Sequence, residues 1–270
     1  MPIFNTTISG GGTTPTGSIS ITSNGTYDVT DKATAVVNVP TTAPSMYLEY
    51  NVVSGVLDKS TASPVMNFAG VTEIAPYGLT WAYVRNQAVG TVDLSDLTTL
   101  NIYCLYRAFY HSSITSLDLS GLTTIPAYNS GTGQYCLAEI CCGCNNLVSV
   151  DLSNVTTIGA QSASTNSGTI GMFAYTGLKT LSFTNLTSIG ATALPMIIQG
   201  CSDVSIYFPA VTSSSFANNS LRYMCLGATN VTLHFPSSAQ TRVETLTDYS
   251  TTAPFGATSG TVLFDLPATE

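Results

Sequence analysis

Charge is what this sequence has least of. Its 270 residues include seven Lys or Arg, fifteen Asp or Glu and two His, so 8% are charged and the formal net charge is −8. The basic residues (Lys32, Lys59, Arg85, Arg107, Lys179, Arg222, Arg242) are scattered. A nucleic-acid partner needs them clustered to neutralise phosphates, so none is expected. No apolar run reaches the roughly 18 residues that span a bilayer, so membrane insertion is not expected. Met1-Pro-Ile-Phe-Asn5 has neither the basic start nor the apolar stretch of a secretory signal. Either the chain is made in a cytosol and exported or assembled otherwise, the reading its initiating Met favours, or a signal has been removed. Catalytic motifs are missing as well: there is no Gly-x-Ser-x-Gly elbow, phosphate loop or His-Glu-x-x-His. With His111 and His234 as its only histidines, the chain is expected to be no enzyme and to hold no cofactor.

The seven cysteines are an odd number, and Cys136, Cys141, Cys142 and Cys144 cluster. A zinc site wants two separated Cys pairs, and no second pair matches this cluster. The reading adopted is reduced thiols packed as small residues, with a disulfide or a metal left open. Gly143-Cys144 and Gly200-Cys201 precede two strands in equivalent places, and His111 is assigned to the same slot.

What the chain does have is one segment repeated seven times. The copies start at Met66, Val92, Leu117, Val150, Leu181, Ile206 and Leu233, at intervals of 26, 25, 33, 31, 25 and 27. Each reads apolar, variable, apolar, two small or polar residues, apolar, Thr; the last copy loses its final apolar residue and its Thr. A period of this length marks one supersecondary unit stacked many times. Strand side chains alternate, so the first and third positions point into the stack and the second points out. The expected architecture is a solenoid with a parallel β-sheet on one face, because one repeat cannot cover its own two faces.

The outward residues form a row: Asn67, Asp93, Asp118, Asp151, Ser182, Tyr207 and His234. This is the candidate binding face. Three carboxylates one strand spacing apart, about 4.8 Å, repel one another. Solvent, a cation or a basic partner must offset that. Carboxylates along a line make a poor calcium cage, and no metal is assigned. The recurrent Thr72, Thr98, Thr123, Thr156, Thr187 and Thr212 read as a structural ladder whose hydroxyls bond to one another and to turn backbone.

Along the chain, residues 1–18 are Gly-, Thr- and Pro-rich and read as a flexible arm. Residues 19–45 read as a small β attachment module, a hairpin of Ile19–Ile21 and Ala35–Val39 around Asn24-Gly25. Residues 46–63 read as an N-terminal β-hairpin cap turning at Ser54-Gly55. The solenoid occupies 64–240, and 241–270 form a C-terminal cap containing the strand-like Thr261–Leu266. The returns between strands, such as Leu105–Phe109 and Tyr223–Leu226, read as single helical turns, 3₁₀ pieces or irregular chain. Two inserts, Asn129–Gln134 and Ala160–Thr169, are expected to bulge from neighbouring repeats.

Several copies resemble the BspA-type bacterial leucine-rich repeat. They include Phe109, Ile114, Leu117-Asp-Leu119, Leu122-Thr-Thr-Ile125, and Phe173, Leu178, Leu181-Ser-Phe183, Leu186-Thr-Ser-Ile189-Gly190. Gly200-Cys201-Ser-Asp-Val204 with Ile206-Tyr-Phe-Pro209 matches the Cys and Pro slots of that unit. The resemblance covers about residues 64–240. Ile19–Val29 with Ala35–Pro40 resembles short N-terminal modules on tail and surface proteins of gut Firmicutes phages and prophages. These resemblances imply a leucine-rich-repeat solenoid, a right-handed superhelix capped by β-hairpins, in an extracellular, cell-surface or virion setting. The expected function is non-enzymatic adhesion to a host-cell protein or glycan. The alternative is a phage tail or baseplate part in which the solenoid is a rigid spacer. Residues 1–45 are expected to self-associate or to dock onto a larger particle.

Overall fold

In the computed structural model the described residues are 18–20, 25–28, 36–38, 42–43, 46–49, 52–53, 56–57, 65–82, 90–128, 134–161 and 169–268, with side chains described from Phe68 onward. The strands are β1 (Ser18–Ser20), β2 (Gly25–Asp28), β3 (Val36–Asn38), β4 (Thr42–Ala43), β5 (Met46–Glu49), β6 (Val52–Val53), β7 (Val56–Leu57), β8 (Val65–Asn67), β9 (Glu73–Ile74) and β10 (Thr91–Asp93). They continue as β11 (Ser116–Asp118), β12 (Thr124–Ile125), β13 (Ser149–Asp151), β14 (Thr157–Ile158), β15 (Thr180–Ser182), β16 (Ser188–Ile189), β17 (Ser205–Tyr207), β18 (Val231–Pro236) and β19 (Gly260–Leu266). A one-turn helix, α1 (Gln240–Val243), lies between the last two.

All these strands pair in parallel except β6 with β7. The chain is a parallel β-solenoid. Its first rail comprises β1-β3-β8, β10-β11-β13 and β15-β17-β18-β19. A second rail, β4-β9 and β12-β14-β16, runs beside it, with bridges Glu73–Thr99 and Ile189–Phe216. The repeat motif builds both rails: the residue before it and its first two residues form a first-rail strand, and the residues just after its Thr form a second-rail strand or bridge.

The core follows from that alternation. The third motif position is buried throughout the described repeats, at Phe68, Leu94, Leu119, Leu152, Phe183, Phe208 and Phe235. The sixth is buried at Val71, Leu97, Leu122, Val155, Leu186 and Val211. Stacking identical positions stacks identical rings. Phe183 and Phe208 stack with centroids 5.2 Å apart and planes 8° from parallel, and Phe208–Phe235 continue at 5.0 Å and 2°. Such offset stacks add roughly 0.5–1.5 kcal/mol per pair beyond burial.

One expectation is corrected. The Asn24-Gly25 hairpin does not form: β1 and β3 are parallel, and Gly25 opens β2, which pairs with β5. Their register continues into β8, Ser18 with Val36 and Val36 with Val65, so the edge of the first motif strand is used by further rungs. The second expected hairpin forms, Val52–Val53 antiparallel to Val56–Leu57, while Met46–Glu49 of its first arm pairs with β2. The arm at 1–17 and most of both inserts lie outside the described residues.

The returns differ in part from expectation. Most are runs of overlapping turns, while 3₁₀ turns occur at Ser213–Ser215, Ser237–Ala239 and Pro254–Gly256, beside the one-turn α1. In one coil the N–H groups of Cys104, Tyr106, Ala108, Tyr110 and Ser112 each donate to a carbonyl three residues back. The intervening N–H groups of Tyr103, Leu105, Arg107, Phe109 and His111 donate instead to Gln134, Cys136, Ala138, Ile140 and Cys142 of the next coil. A helix keeps its hydrogen bonds within itself. Here alternate donors point along the stack and knit the returns into a third wall.

Candidate functional site

The strand-face row falls on three separate ladders, with no strand pairing among the described residues from Asn67 to Asp93 or from Asp151 to Ser182, and within each ladder it is in register. Asp93 pairs with Asp118 and Asp118 with Asp151; Ser182 pairs with Tyr207 and Tyr207 with His234. Asn67 is aligned with Asn38, and its side chain is outside the described set. Each carboxylate closes a local turn. Asp93 Oδ1 accepts from the Ser95 N–H at 3.0 Å and from its hydroxyl at 2.6 Å. Asp118 and Asp151 accept from the N–H of Ser120 and of Ser153, both at 2.8 Å. This Asx geometry gives each charge its own donor. At Asp93 the Ser95 hydroxyl, helped by the Ser95 N–H, holds the carboxyl below its usual range. Further along, the Tyr207 and His234 rings stack at 4.2 Å and 7°, and His234 Nδ1 is 3.0 Å from both oxygens of Asp265.

The Thr residues bond to backbone rather than to one another. Thr98, Thr156 and Thr187 donate their hydroxyls to the carbonyls of Thr72, Thr123 and Thr156, at 3.2, 3.1 and 3.3 Å. Thr212 differs: its hydroxyl meets Ser214 and its N–H donates to Ser215. A parallel column is built by Asn154 and Asn185, whose amides donate to Ser120 and Ser153 carbonyls at 2.8 Å.

All seven cysteines are free and buried. Cys144 and Cys201 share a slot with Ser112 and Thr176, and their thiols donate to the carbonyls of Phe109 and Phe173. His111 does not share that slot. It lies one residue earlier, in the column of Gly143, Tyr175 and Gly200, with its ring exposed. A Cβ on Gly143 would collide with the His111 ring, and one on Gly200 with the Tyr175 ring. Both glycines have positive φ, so they serve a left-handed turn and a close ring at once.

The return wall holds the side chains that the repeat motif did not single out. Every fourth residue along it has positive φ: Tyr77 and Trp81; Tyr103, Arg107 and His111; Tyr135, Glu139 and Gly143. The left-handed conformation costs an L-residue about 1–2 kcal/mol. The inter-coil hydrogen bonds and the stacking of these side chains offset it. Tyr77 and Tyr103 stack at 5.0 Å and 11°, Tyr103 and Tyr135 at 4.6 Å and 23°. Beside them the Arg107 guanidinium lies 4.8, 5.0 and 5.1 Å from the ring centroids of Trp81, Tyr106 and Tyr110. It also makes a two-point ion pair with Glu139 at 2.9 and 3.0 Å. Tyr106 stands nearly perpendicular to Tyr103, at 86°, and to Trp81, at 89°. Behind this wall the aliphatic residues Leu79, Leu105, Leu137 and Ile140 are fully buried. The outward side is therefore aromatic rings, phenol hydroxyls and one neutralised ion pair. Tyr77 is 51% exposed and the other rings are half-buried.

One signal in the sequence marks this wall. Glycine is the natural occupant of a left-handed position, and Gly143, Gly171, Gly200 and Gly227 all have positive φ. Counting back in fours from Gly143 reaches Glu139 and Tyr135, and from Gly227 reaches Tyr223 and Asn219.

Among the described residues no three of His, Cys, Asp and Glu converge as a metal-binding group. No helix of the described residues is long and apolar enough to cross a membrane. A shallow polar depression near α1, lined by Asn218, Asn219, Arg242 and Thr247, has its guanidinium engaged by the Phe216 carbonyl and Asn218. No known protein family, curated protein or solved structure matches the chain.

Proposed function

We propose that this chain is a non-enzymatic binding protein that attaches to a host-cell protein or glycan, working outside the cell at a cell surface or on a virion. In this reading the solenoid is of the leucine-rich-repeat kind, with right-handed superhelical stacking and a BspA-like repeat. Residues 1–45 serve attachment or self-association. The observation that carries the reading is the return wall. Tyr, Trp and Arg are the residues enriched where proteins hold ligands, and here they gather on one outward surface while the phenylalanines of the stack are buried. The strand face is the weaker candidate, because each of its Asp carboxylates already closes a turn.

The test is saturable attachment of the labelled full chain to cultured epithelial cells, intact Gram-positive bacteria and immobilised mucin. Saturable binding that unlabelled chain displaces is the expected result. Linear, non-displaceable background on all three would overturn the reading.

A further inference from the structure

Arg242 stands apart from the other basic side chains of the described residues. Arg107, Lys179 and Arg222 each lie beside a carboxylate, of Glu139, Asp203 and Asp248, at 2.9, 3.4 and 3.8 Å. Arg242 has no such partner among the described residues, although acids outnumber Lys and Arg in the chain by fifteen to seven. The acids nearest to it in sequence are engaged elsewhere: Glu244 accepts from the Gln240 amide at 2.9 Å, and Asp248 faces Arg222. Neutral oxygens hold the guanidinium instead. The Phe216 carbonyl accepts from Nε at 3.4 Å and from Nη2 at 3.1 Å, and Asn218 Oδ1 accepts from Nη2 at 2.9 Å. These bonds fix the fork and leave Nη1, which reaches only the Thr245 hydroxyl among the described residues, at 3.5 Å.

Arg242 lines a hollow of about 250 Å³ with Asn218, Asn219, Thr245, Leu246 and Thr247. Both carboxamides are engaged through their oxygens, Asn218 on Arg242 and Asn219 on the Thr247 hydroxyl. Their N–H groups are the halves left over. Asn219 is held in place by its backbone, which is left-handed at φ 60° and accepts the Thr192 N–H at 3.1 Å. The hollow therefore gathers surplus donors around one positive charge. A carboxylate is the complement of that set: it accepts only, and its hydrogen bonds to a guanidinium are charge-assisted. The rest of the lining narrows what carries the carboxylate. Leu246 is its one apolar side chain and is 5% exposed. A peptide terminus would bring a side chain with little apolar surface to receive it. A sugar ring brings hydroxyls, which pair with the Thr245 and Thr247 oxygens and with the amides, and the hollow has room for one ring.

We infer that the hollow formed by Arg242, Asn218 and Asn219 binds the carboxylate of an acidic sugar residue of a glycan. The inference rests on the binding reading above, names a ligand class for it and adds a contact outside the aromatic part of the return wall.

The experiment is saturation-transfer difference NMR of the full chain with N-acetylneuraminic, glucuronic and galacturonic acids, each beside its uncharged methyl ester. N-acetylalanine serves as the peptide-like acid. At least one sugar acid should give a saturable signal at least five-fold above that of its ester. Asn218→Asp places a carboxylate where Oδ1 already accepts from Nη2. It keeps that contact, neutralises the guanidinium and should lower the signal at least five-fold. Arg242→Lys keeps the charge but loses the planar fork, and should lower it at least three-fold. Thermal unfolding of each variant confirms that it is folded. Lys179→Gln, on a remote exposed ion pair, should bind as the parent does. The inference is overturned if no sugar acid gives a saturable signal, if the esters or N-acetylalanine bind as well as the acids, or if both folded variants bind as the parent does. Tighter binding in Glu270→Gln would make the chain's own last residue the occupant and overturn it too. Attachment to cells without any sugar-acid signal would overturn this inference and leave the binding reading standing. Failure of both assays would sink the binding reading itself.

Discussion

At the scale of single residues, position in the repeat decides what a side chain does. Phe208 sits between Phe183 and Phe235 in a ring stack whose members are all fully buried. Removing a buried Phe costs about 3–5 kcal/mol when the neighbours cannot collapse. Here the neighbours are fixed by their own rungs, so Phe208→Ala is expected near the upper end, read as a loss of denaturation free energy in urea. A loss under about 1.5 kcal/mol would mean the stack relaxes as a unit. The cysteines make a second case. Burial pushes the Cys104 and Cys142 thiols up to about 12, and it pushes Cys136, Cys141 and Cys225 up as well. Cys144 is lowered by the hydrogen bond from Cys141, yet it too is fully buried. The thiolate is the reactive form, so Ellman's reagent at pH 8 should find almost no thiol in the folded chain and all seven after denaturation.

At the scale of elements, the first-rail strands of the repeats were legible, while the second-rail strands and the returns were not. A first-rail strand announces itself by alternation: Val92, Asp93 and Leu94 read in, out, in, and the structure buries the first and third. The returns have no such period. Their turns need every fourth residue in a left-handed conformation, and in the coils from Tyr77 to Glu139 those places are held by Tyr, Trp, Arg, His and Glu rather than glycine. Local propensity argues against that conformation; contacts between coils impose it. So Leu105–Phe109 reads as a helical turn in isolation and becomes turns only when stacked. The N-terminal hairpin was misread for the same reason, since Asn24-Gly25 is a local signal while β1 and β3 are held by neighbouring rungs. Of the site, the aligned Asp row was legible from spacing. The aromatic wall was hidden because its residues meet across 26 to 32 positions, Tyr77 with Tyr103 and Tyr103 with Tyr135.

That wall has a pH signature of its own. Burial raises the folded pKa of Tyr103, Tyr106 and Tyr135, and Coulombic coupling among the phenols raises that of Tyr103 and Tyr135 further. An unfolded phenol loses its proton near pH 10. Above that pH the native state binds more protons than the unfolded one, so stability falls as pH rises. The contribution is complete below pH 10 and is lost as pH climbs through the raised folded values. Absorbance at 295 nm should therefore show a group of phenols ionising later than free tyrosine, together with falling thermal stability. Simultaneous titration of all fourteen tyrosines near pH 10 in the folded chain would contradict the wall's packing.

At the scale of the whole molecule, a solenoid is close to one-dimensional: each coil is stabilised by the coils on either side. Interior rungs have two neighbours. Their inward residues, Leu181, Phe183, Ile206, Phe208, Leu233 and Phe235, are at most 1% exposed. β19 pairs with β18 on one edge, and its inward residues Val262 and Phe264 pack on the core while remaining only half-buried. Its ties to the preceding rung are the ladder to β18, the His234–Asp265 contact and a tilted Phe235–Phe264 ring contact at 6.1 Å, joined by the Gly260 N–H donating to the Thr252 carbonyl. Local opening tracks such differences in buried contact. Backbone amides in peptides spanning 260–266 should exchange with deuterium at least ten-fold faster than those spanning 205–208, with 231–235 between them, under conditions where the whole chain stays folded. The gradient should not depend on protein concentration. Equal protection at the two places would mean the last rung is covered in solution. Protection that grows at 260–266 alone as concentration rises would make that cover a second copy of the chain, and the solenoid would then be a building block rather than a free-standing unit.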